Sequence, residues 1–282
     1  MRDGAGERAR WTRVAARREL PLDLLDARFV RHRFAPHAHE EFSIGVCSEG
    51  VEVLDYRGAK WHASPGTVVI LEPGEPHTGY SAVPEGFAYR AMYPAASLVA
   101  ESGLASPHFP VPIVADPELA AALRTAHVAL AAGADPIEAE TRLTTGLATL
   151  LARHAEPGPR RTGGQLGRRP GRGVARATMA RLADQLLDPP SLADIAAEFG
   201  LSRFQLLRAF HAEIGMPPYA WLAQYRVNRA RCLLVDGHRP AEAAALVGFA
   251  DQAHLNRWFR RVVGVTPGSF RNSVQDSLRH VG

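Results

Sequence analysis

The chain has almost no cysteine and almost no lysine. Its two cysteines in 282 residues, Cys47 and Cys232, are too few for a disulfide framework or a cysteine-based zinc site. Such scarcity fits a reducing compartment. Lys60 is the sole lysine, and the other 32 of the 33 basic side chains are arginine, a bias that a GC-rich genome imposes without functional selection. Long apolar runs are missing as well. No stretch approaches the roughly 18 apolar residues of a membrane-spanning helix. The arginine-rich segment 1–20 lacks the apolar core of a secretory signal. These absences lead us to expect a cytoplasmic protein without a membrane partner. No Ser-His-Asp arrangement, phosphate-binding glycine loop or pair of catalytic carboxylates emerges, so an enzyme is not expected.

What is present is enough apolar sequence, 46% of residues, for two cores, and the length suits two domains. Charge divides between the halves. Residues 1–154 carry 15 basic and 19 acidic side chains, net −4, whereas residues 155–282 carry 18 and 10, net +8. A basic half joined to an acidic half points to a polyanionic partner for the basic half alone.

Between residues 28 and 93, short apolar and β-branched runs (Phe42–Cys47, Val51–Tyr56, Thr67–Leu71) alternate with glycine and proline punctuation. That spacing predicts a β-barrel or sandwich. Asp116-Pro117 and Asp135-Pro136 each read as an N-cap followed by proline in the first helical turn. They predict a helical hairpin running to about Ala132 and about His154. Its stripe Leu143, Leu147, Leu150 and Leu151 suits either packing on the strands or dimerisation. Residues 155–173 hold six Gly, three Pro and five Arg, the composition of a flexible linker. Beyond it the chain reads as helical throughout.

The last hundred residues repeat. Gly200 and Gly248 are 48 apart, and the pairs Phe210/Phe259, Gly215/Gly264 and Pro218/Pro267 are each 49 apart. Each copy has a short helix, a glycine turn and a second helix. Ser191, Ser202 and Asp251 stand at N-cap positions, and Ala196 and Ala244 are small where helices must cross. With Leu206 and Phe210, or Leu255 and Phe259, turned inward, the free face of the first unit carries Arg203, Phe204, Gln205, Leu207, Arg208 and His211. The second carries Gln252, Ala253, Asn256, Arg257 and Arg260. Arginine reads guanine, and asparagine or glutamine reads adenine, in the major groove. A connecting helix from about Pro218 to Val235 is about 27 Å long. With the width of the flanking units, it can set two reading helices on one DNA face, where successive major grooves lie about 34–36 Å apart.

Residues 174–275 therefore resemble the DNA-binding domain of the AraC/XylS family of bacterial transcription regulators. The resemblance is carried by Val247-Gly248-Phe249-Ala250-Asp251-Gln252, His254, Arg257-Trp258-Phe259-Arg260-Arg261 and Gly264-Val265-Thr266-Pro267. It implies base contacts at Phe204, Leu207 and Arg208 in the first unit and at Gln252, Ala253, Asn256 and Arg257 in the second. Leu207 is apolar where relatives often carry a polar residue, and suits a thymine methyl.

In the first half, His37-Ala38-His39 puts two imidazoles on one strand face. Pro65-Gly66 and Pro73-Gly74-Glu75-Pro76-His77 follow. Over residues 10–100 these resemble the two motifs of the cupin barrel, in the version AraC-family regulators use to bind ligands. His37, His39 and His77 match its histidine positions. The glutamate of metal-binding cupins would fall at Ser43 or Ile44, neither a good ligand, and Glu41 is too close to His39. Three histidines alone could hold zinc or iron with water. The missing carboxylate favours lining an organic-effector pocket instead, so no metal and no cofactor is assigned. Arg90, Tyr89 and Tyr93 are close in sequence, but their facing is not derivable.

The resulting expectation is an α+β chain of two domains: residues 1–154 a cupin-like β-barrel with a helical hairpin, for effector binding and dimerisation; 155–173 a flexible linker; 174–282 an all-α domain with two helix-turn-helix units. The resemblance implies a dimeric regulator, by family habit an activator, with double-stranded DNA, a small-molecule effector and RNA polymerase as partners. The alternatives are a metal-dependent cupin enzyme or metal sensor fused to a DNA-binding domain, and a ligand-independent regulator whose barrel serves only assembly.

Overall fold

The short runs between residues 28 and 93 do form strands, in two stacked sheets rather than a closed barrel. The computed structural model describes residues 6–15, 21–158 and 170–279. Parts of the arginine-rich segment 1–20, and residues 159–169 of the expected linker, lie outside the described residues. Numbered along the chain, β1 (Arg8–Ala15), β2 (Pro21–Phe29), β9 (Phe87–Tyr93), β4 (Ser43–Glu49), β7 (Val68–Leu71) and β11 (Ile113–Val114) make a six-stranded sheet in that order. β3 (Arg33–His37), β8 (His77–Ser81), β5 (Glu52–Tyr56) and β6 (Ala59–Ala63) make a four-stranded one. Strand spacing is common to barrels and sandwiches, and stacking satisfies the apolar faces without a ladder that runs all the way round.

Pleat alternation sorts the six-stranded sheet into two working faces. Leu22 and Leu24 of β2, Ile44 and Val46 of β4, Val68 and Ile70 of β7 and Met92 of β9 pack with helical residues in one buried cluster. The helices are α1 (Ala96–Glu101), α2 (Pro117–Ala131) and α3 (Pro136–His154). Cys47, Val69 and Leu71 face the other way, onto Leu54 and Tyr56 of β5 and Ala63 of β6.

The α2–α3 hairpin has the expected bounds and caps. Asp116 accepts from Leu119 N at 3.0 Å, and Asp135 accepts from Ile137 N at 2.9 Å. Asp116 also receives Arg153 Nη1 at 3.1 Å and His154 Nε2 at 2.9 Å, so one carboxylate joins the end of α3 to the start of α2. Leu143, Leu147, Leu150 and Leu151 are all buried against the sheet. The stripe is consumed as core, which corrects its use as a dimer contact. The outer face of the hairpin keeps Val128 48% and Ile137 78% exposed.

Within 155–173, β12 (Glu156–Pro157) pairs with β10 (Pro107–His108), and α4 (Pro170–Asp184) has already begun. The helical unit continues with α5 (Leu192–Glu198), α6 (Arg203–Ile214), α7 (Pro218–Val235), α8 (Pro240–Leu246), α9 (Gln252–Val263) and α10 (Pro267–Arg279). Ser191 and Asp251 cap α5 and α9, and Ser202 forms a capping box with Gln205 at the start of α6. Leu182, Ile195, Ala196, Leu206 and Leu222 make the core of the first unit. In the second, Leu255 and Phe259 are buried, with Phe259 edge-on to Phe270 at 5.5 Å.

The two turn glycines differ. Gly200 (φ +64°) has open space where a side chain would go, whereas a Cβ on Gly248 (φ +84°) would lie 2.8 Å from Leu186 O and 2.9 Å from Arg226 Nη2. Arg226, buried on α7, donates to that same Leu186 carbonyl just after α4. Gly200→Ala should cost about 1 kcal/mol, the ordinary left-handed penalty. Gly248→Ala should cost at least twice as much, read as the shift in urea midpoint of the full chain. Equal costs would mean the second turn yields freely and Arg226 does not hold it.

Candidate DNA-reading helices and effector pocket

The two reading helices are built alike. In α6, Leu206 and Phe210 turn inward, leaving Arg203, Gln205, Arg208 and His211 exposed, Phe204 67% exposed and Leu207 half-buried. In α9, Gln252, Ala253, Arg257 and Arg260 are exposed and Asn256 is half-buried. The nominated residues thus share one outward face per helix. Two have local partners as well. The Gln205 side-chain carbonyl accepts from Ser202 N at 2.8 Å, and the Arg208 guanidinium lies 5.6 Å from the Phe204 ring centre.

Both helices are anchored through α7, which has the expected 18 residues. Tyr219 on its first turn meets His254 Nε2 at 3.1 Å and stands edge-on to Trp258, both on α9. Leu222, further along, belongs to the core of the first unit. Sequence reasoning does not single out Tyr219. Its position just after the helix-starting Pro218 is the signal that could have found it.

In the N-terminal unit, the three nominated histidines come together. One ligand atom each from His37, His39 and His77 lie within 4.8 Å of one another. His37 Nδ1 donates to Ala35 O at 2.8 Å, and His77 Nδ1 donates to Glu75 O at 3.2 Å. Both bonds put the imidazole lone pair on Nε2. Burial lowers the His77 pKa to about 4. The His39 ring lies 5.0 Å from that of His77 and edge-on to Tyr93 at 5.1 Å, and Tyr93 stacks on Trp11.

The alternation of β9 settles the facing left open above. Tyr89 and Tyr93 point between the sheets. Arg90 points the other way and pairs with Asp26 at 2.8 Å. There, Arg8, Arg10, Asp26, Arg90 and His127 contribute to an open groove of about 500 Å³ beneath α2. Ile44, one position expected for a metal-ligating glutamate, lies in the helix-facing core.

Glu52 is a buried residue on the same sheet face as His77 that sequence reasoning misses. It alternates with Leu54 and Tyr56 on β5, and this period-two pattern is the signal that could have found it. The β5–β8 register sets Tyr56 opposite His77, Leu54 opposite Gly79 and Glu52 opposite Ser81. Glu52 and His77 therefore share the inner face of the four-stranded sheet. Gly79 makes the room, since a Cβ there would come 2.8 Å from Glu52 Oε1. Burial raises the Glu52 pKa from 4.5 to about 8. It also pushes the Cys47 thiol up to about 12, with the Glu52 charge adding to it, which makes this cysteine a poor nucleophile.

Comparison with known proteins agrees with both halves. The AraC-like ligand binding domain family matches residues 19–147, and a helix-turn-helix domain family matches residues 195–273. The chain is 25% identical over 240 residues to the uncharacterized HTH-type transcriptional regulator YbfI of Bacillus subtilis, covering 80% of this chain and 82% of that protein. It is 30% identical over 101 residues to the arabinose operon regulatory protein of Escherichia coli, covering 36% of this chain and about a third, 34%, of that protein. A structure of ToxT from Vibrio cholerae with an unsaturated fatty acid bound covers 98% of this chain and 99% of its own, with a TM-score of 0.56 at 12% identity. At that identity the likeness is one of fold alone.

The Glu52 carboxyl generates a pH prediction. Its folded pKa lies above the unfolded value, so the folded state holds a proton the unfolded chain releases. The contribution is complete below about pH 4.5, falls as pH rises, and levels off above about pH 8. Glu52→Gln, which keeps the neutral shape, should flatten this decline in urea midpoint between about pH 5 and 8. An unchanged slope would show that Glu52 is ionised throughout.

Proposed function

Because this chain belongs to the AraC/XylS family of DNA-binding transcription regulators, with a ligand-binding domain ahead of two helix-turn-helix units, we propose that a small polar effector held between its two sheets controls how α6 and α9 engage promoter DNA. The observation that carries this reading is the pair of outward faces on α6 and α9, each backed by a buried Leu–Phe pair and joined by one continuous helix. A solvated surface does not need two copies of that arrangement in the basic half of the chain.

The proposed roles follow from side-chain chemistry. Arg208 and Arg257 take guanine edges, Gln252 and Asn256 take adenine edges, and Phe204, Leu207 and Ala253 pack on bases or thymine methyls. Arg203 and Arg260 neutralise phosphates, which position the protein without reading sequence. Gln205 contributes with what its capping role leaves. In the N-terminal unit, three imidazoles, Glu52, Tyr89 and Tyr93 offer hydrogen-bonding groups and ring faces to a polar ligand. That lining suits a small polar molecule better than the fatty acid bound to ToxT. The effector shifts the regulator only by its differential affinity for two states. The residues within 155–173 connect the two functions. Dimerisation uses the outer hairpin face, and RNA polymerase is the downstream partner of an activator in the cytoplasm. No catalytic step is assigned; the relatives are transcription regulators, and Cys47 is held as a thiol.

The test is selection of bound duplexes from a random library by the full chain, followed by titration of the selected site. Arg208→Ala and Arg257→Ala should each cost about 1–3 kcal/mol at one base pair and relax preference there. Arg203→Ala should weaken all sequences alike and reduce the salt dependence of binding. Unchanged affinity and base preference in Arg257→Ala would remove it from the reading face.

A further inference from the structure

The groove beneath α2 lies on the opposite face of the six-stranded sheet from Tyr93, and no role assigned above uses it. Pleat alternation on three neighbouring strands builds its base. The β1–β2 register sets Arg10 opposite Asp26, and the β2–β9 register sets Asp26 opposite Arg90. One cross-strand row therefore reads Arg10, Asp26, Arg90, and Arg8 lies two residues from Arg10 on the same face of β1. All four line the groove of about 500 Å³.

This base carries more positive charge than it pairs. Asp26 receives Arg90 Nε at 2.8 Å and has Arg8 Nη2 at 3.9 Å. Arg10 has no ion-pair partner among the described residues. His127, on the α2 side, adds no charge, because burial, reinforced by the nearby Arg90 charge, lowers its pKa to about 4. Three guanidinium groups thus meet one carboxylate. His127 is only 4% exposed. Its Nε2 donates to Leu25 O at 3.2 Å, and its Nδ1 is buried without a partner among the described residues. Leu24, Val128, Ala131 and Ala132 give the groove an apolar wall.

Charge on an edge strand such as β1 also deters pairing with other chains. That use needs neither a groove nor a buried imidazole with an unpaired nitrogen. A concave, largely apolar site with a few polar groups to fix orientation is what a small organic ligand requires. Neighbouring guanidinium groups select an oxyanion as its head.

We propose that the groove between β1, β2, β9 and the end of α2 binds a small organic anion, with a carboxylate or phosphate head on Arg8 and Arg10 and an apolar body against Leu24 and α2. This site is separate from the sheet face of His37, His39 and His77, and it does not rest on the regulatory reading above.

The experiment is calorimetric titration of the full chain with phenylacetate and with phenyl phosphate. One saturable site per chain is expected for at least one of them, and the tighter of the two identifies the head group. Neutral phenylacetamide, which keeps the body, and inorganic phosphate, which keeps only the head, should bind at least about tenfold more weakly. Arg10→Gln and Arg8→Gln, both at exposed positions, should each weaken the anion about tenfold, with an unchanged circular dichroism spectrum. Arg142→Gln removes the same charge from an exposed ion pair on α3 and should leave affinity unchanged, as should His39→Gln.

No saturable binding of either anion overturns the site. Phenylacetamide binding as tightly as phenylacetate overturns the oxyanion head, and inorganic phosphate binding as tightly as phenyl phosphate overturns the apolar body. Affinity lost in His39→Gln but kept in Arg10→Gln places the ligand between the sheets and overturns the groove.

Discussion

A sheet whose two faces are both apolar has to be covered twice, and the N-terminal unit follows from that constraint. β4 and β7 are buried along nearly their whole length. Water on either side would expose Ile44 and Ile70, or Val69 and Leu71. The chain meets the first demand with the α2–α3 hairpin and the second with the four-stranded sheet. The hairpin is held shut at its open end by Asp116, which caps α2 while binding Arg153 and His154. Glu52 and His77 are buried on the inner face of the four-stranded sheet.

That division makes β9 the strand on which the candidate site turns. Neighbouring residues on it enter opposite environments. Tyr93 meets His39 and Trp11 between the sheets, while Arg90, three positions earlier, meets Asp26 under α2. Glu52 and His77 reach the same interior from the opposite sheet through the β5–β8 register. The site is thus assembled from strands far apart in sequence, each contributing alternate residues. Its contents are imidazoles and, at Glu52, a carboxyl that burial keeps protonated up to about pH 8.

The helical unit depends on a different economy. Its two glycine turns let pairs of short helices cross closely, with alanine at the contact, and α7 joins both pairs. Arg226 makes the joint specific. From the middle of α7 it reaches the Leu186 carbonyl after α4 and fills the space that Gly248 leaves open. Displacing one reading helix relative to α7 therefore disturbs buried contacts, which suits a domain that must match the spacing of a DNA groove.

Much of this was legible in the residues alone, and all of it was local. The caps Asp116, Asp135, Ser191, Ser202 and Asp251, the positive-φ glycines and the bounds of α2, α3 and α7 depend on a few neighbouring residues, so spacing and side-chain type determine them. The outward faces of α6 and α9 follow from helical periodicity once Leu206, Phe210, Leu255 and Phe259 turn inward. The family resemblance brought the three histidines forward as a set. Only the tertiary structure decided that the strands stack as two sheets, that Leu143, Leu147, Leu150 and Leu151 belong to the core, that Tyr93 joins the histidines while Arg90 does not, and that Glu52 shares their sheet face. Each of these depends on which strand pairs with which and which sheet face meets which layer. A one-residue change of register would reverse the facing of Tyr93, Arg90 and Glu52 while leaving local propensities untouched.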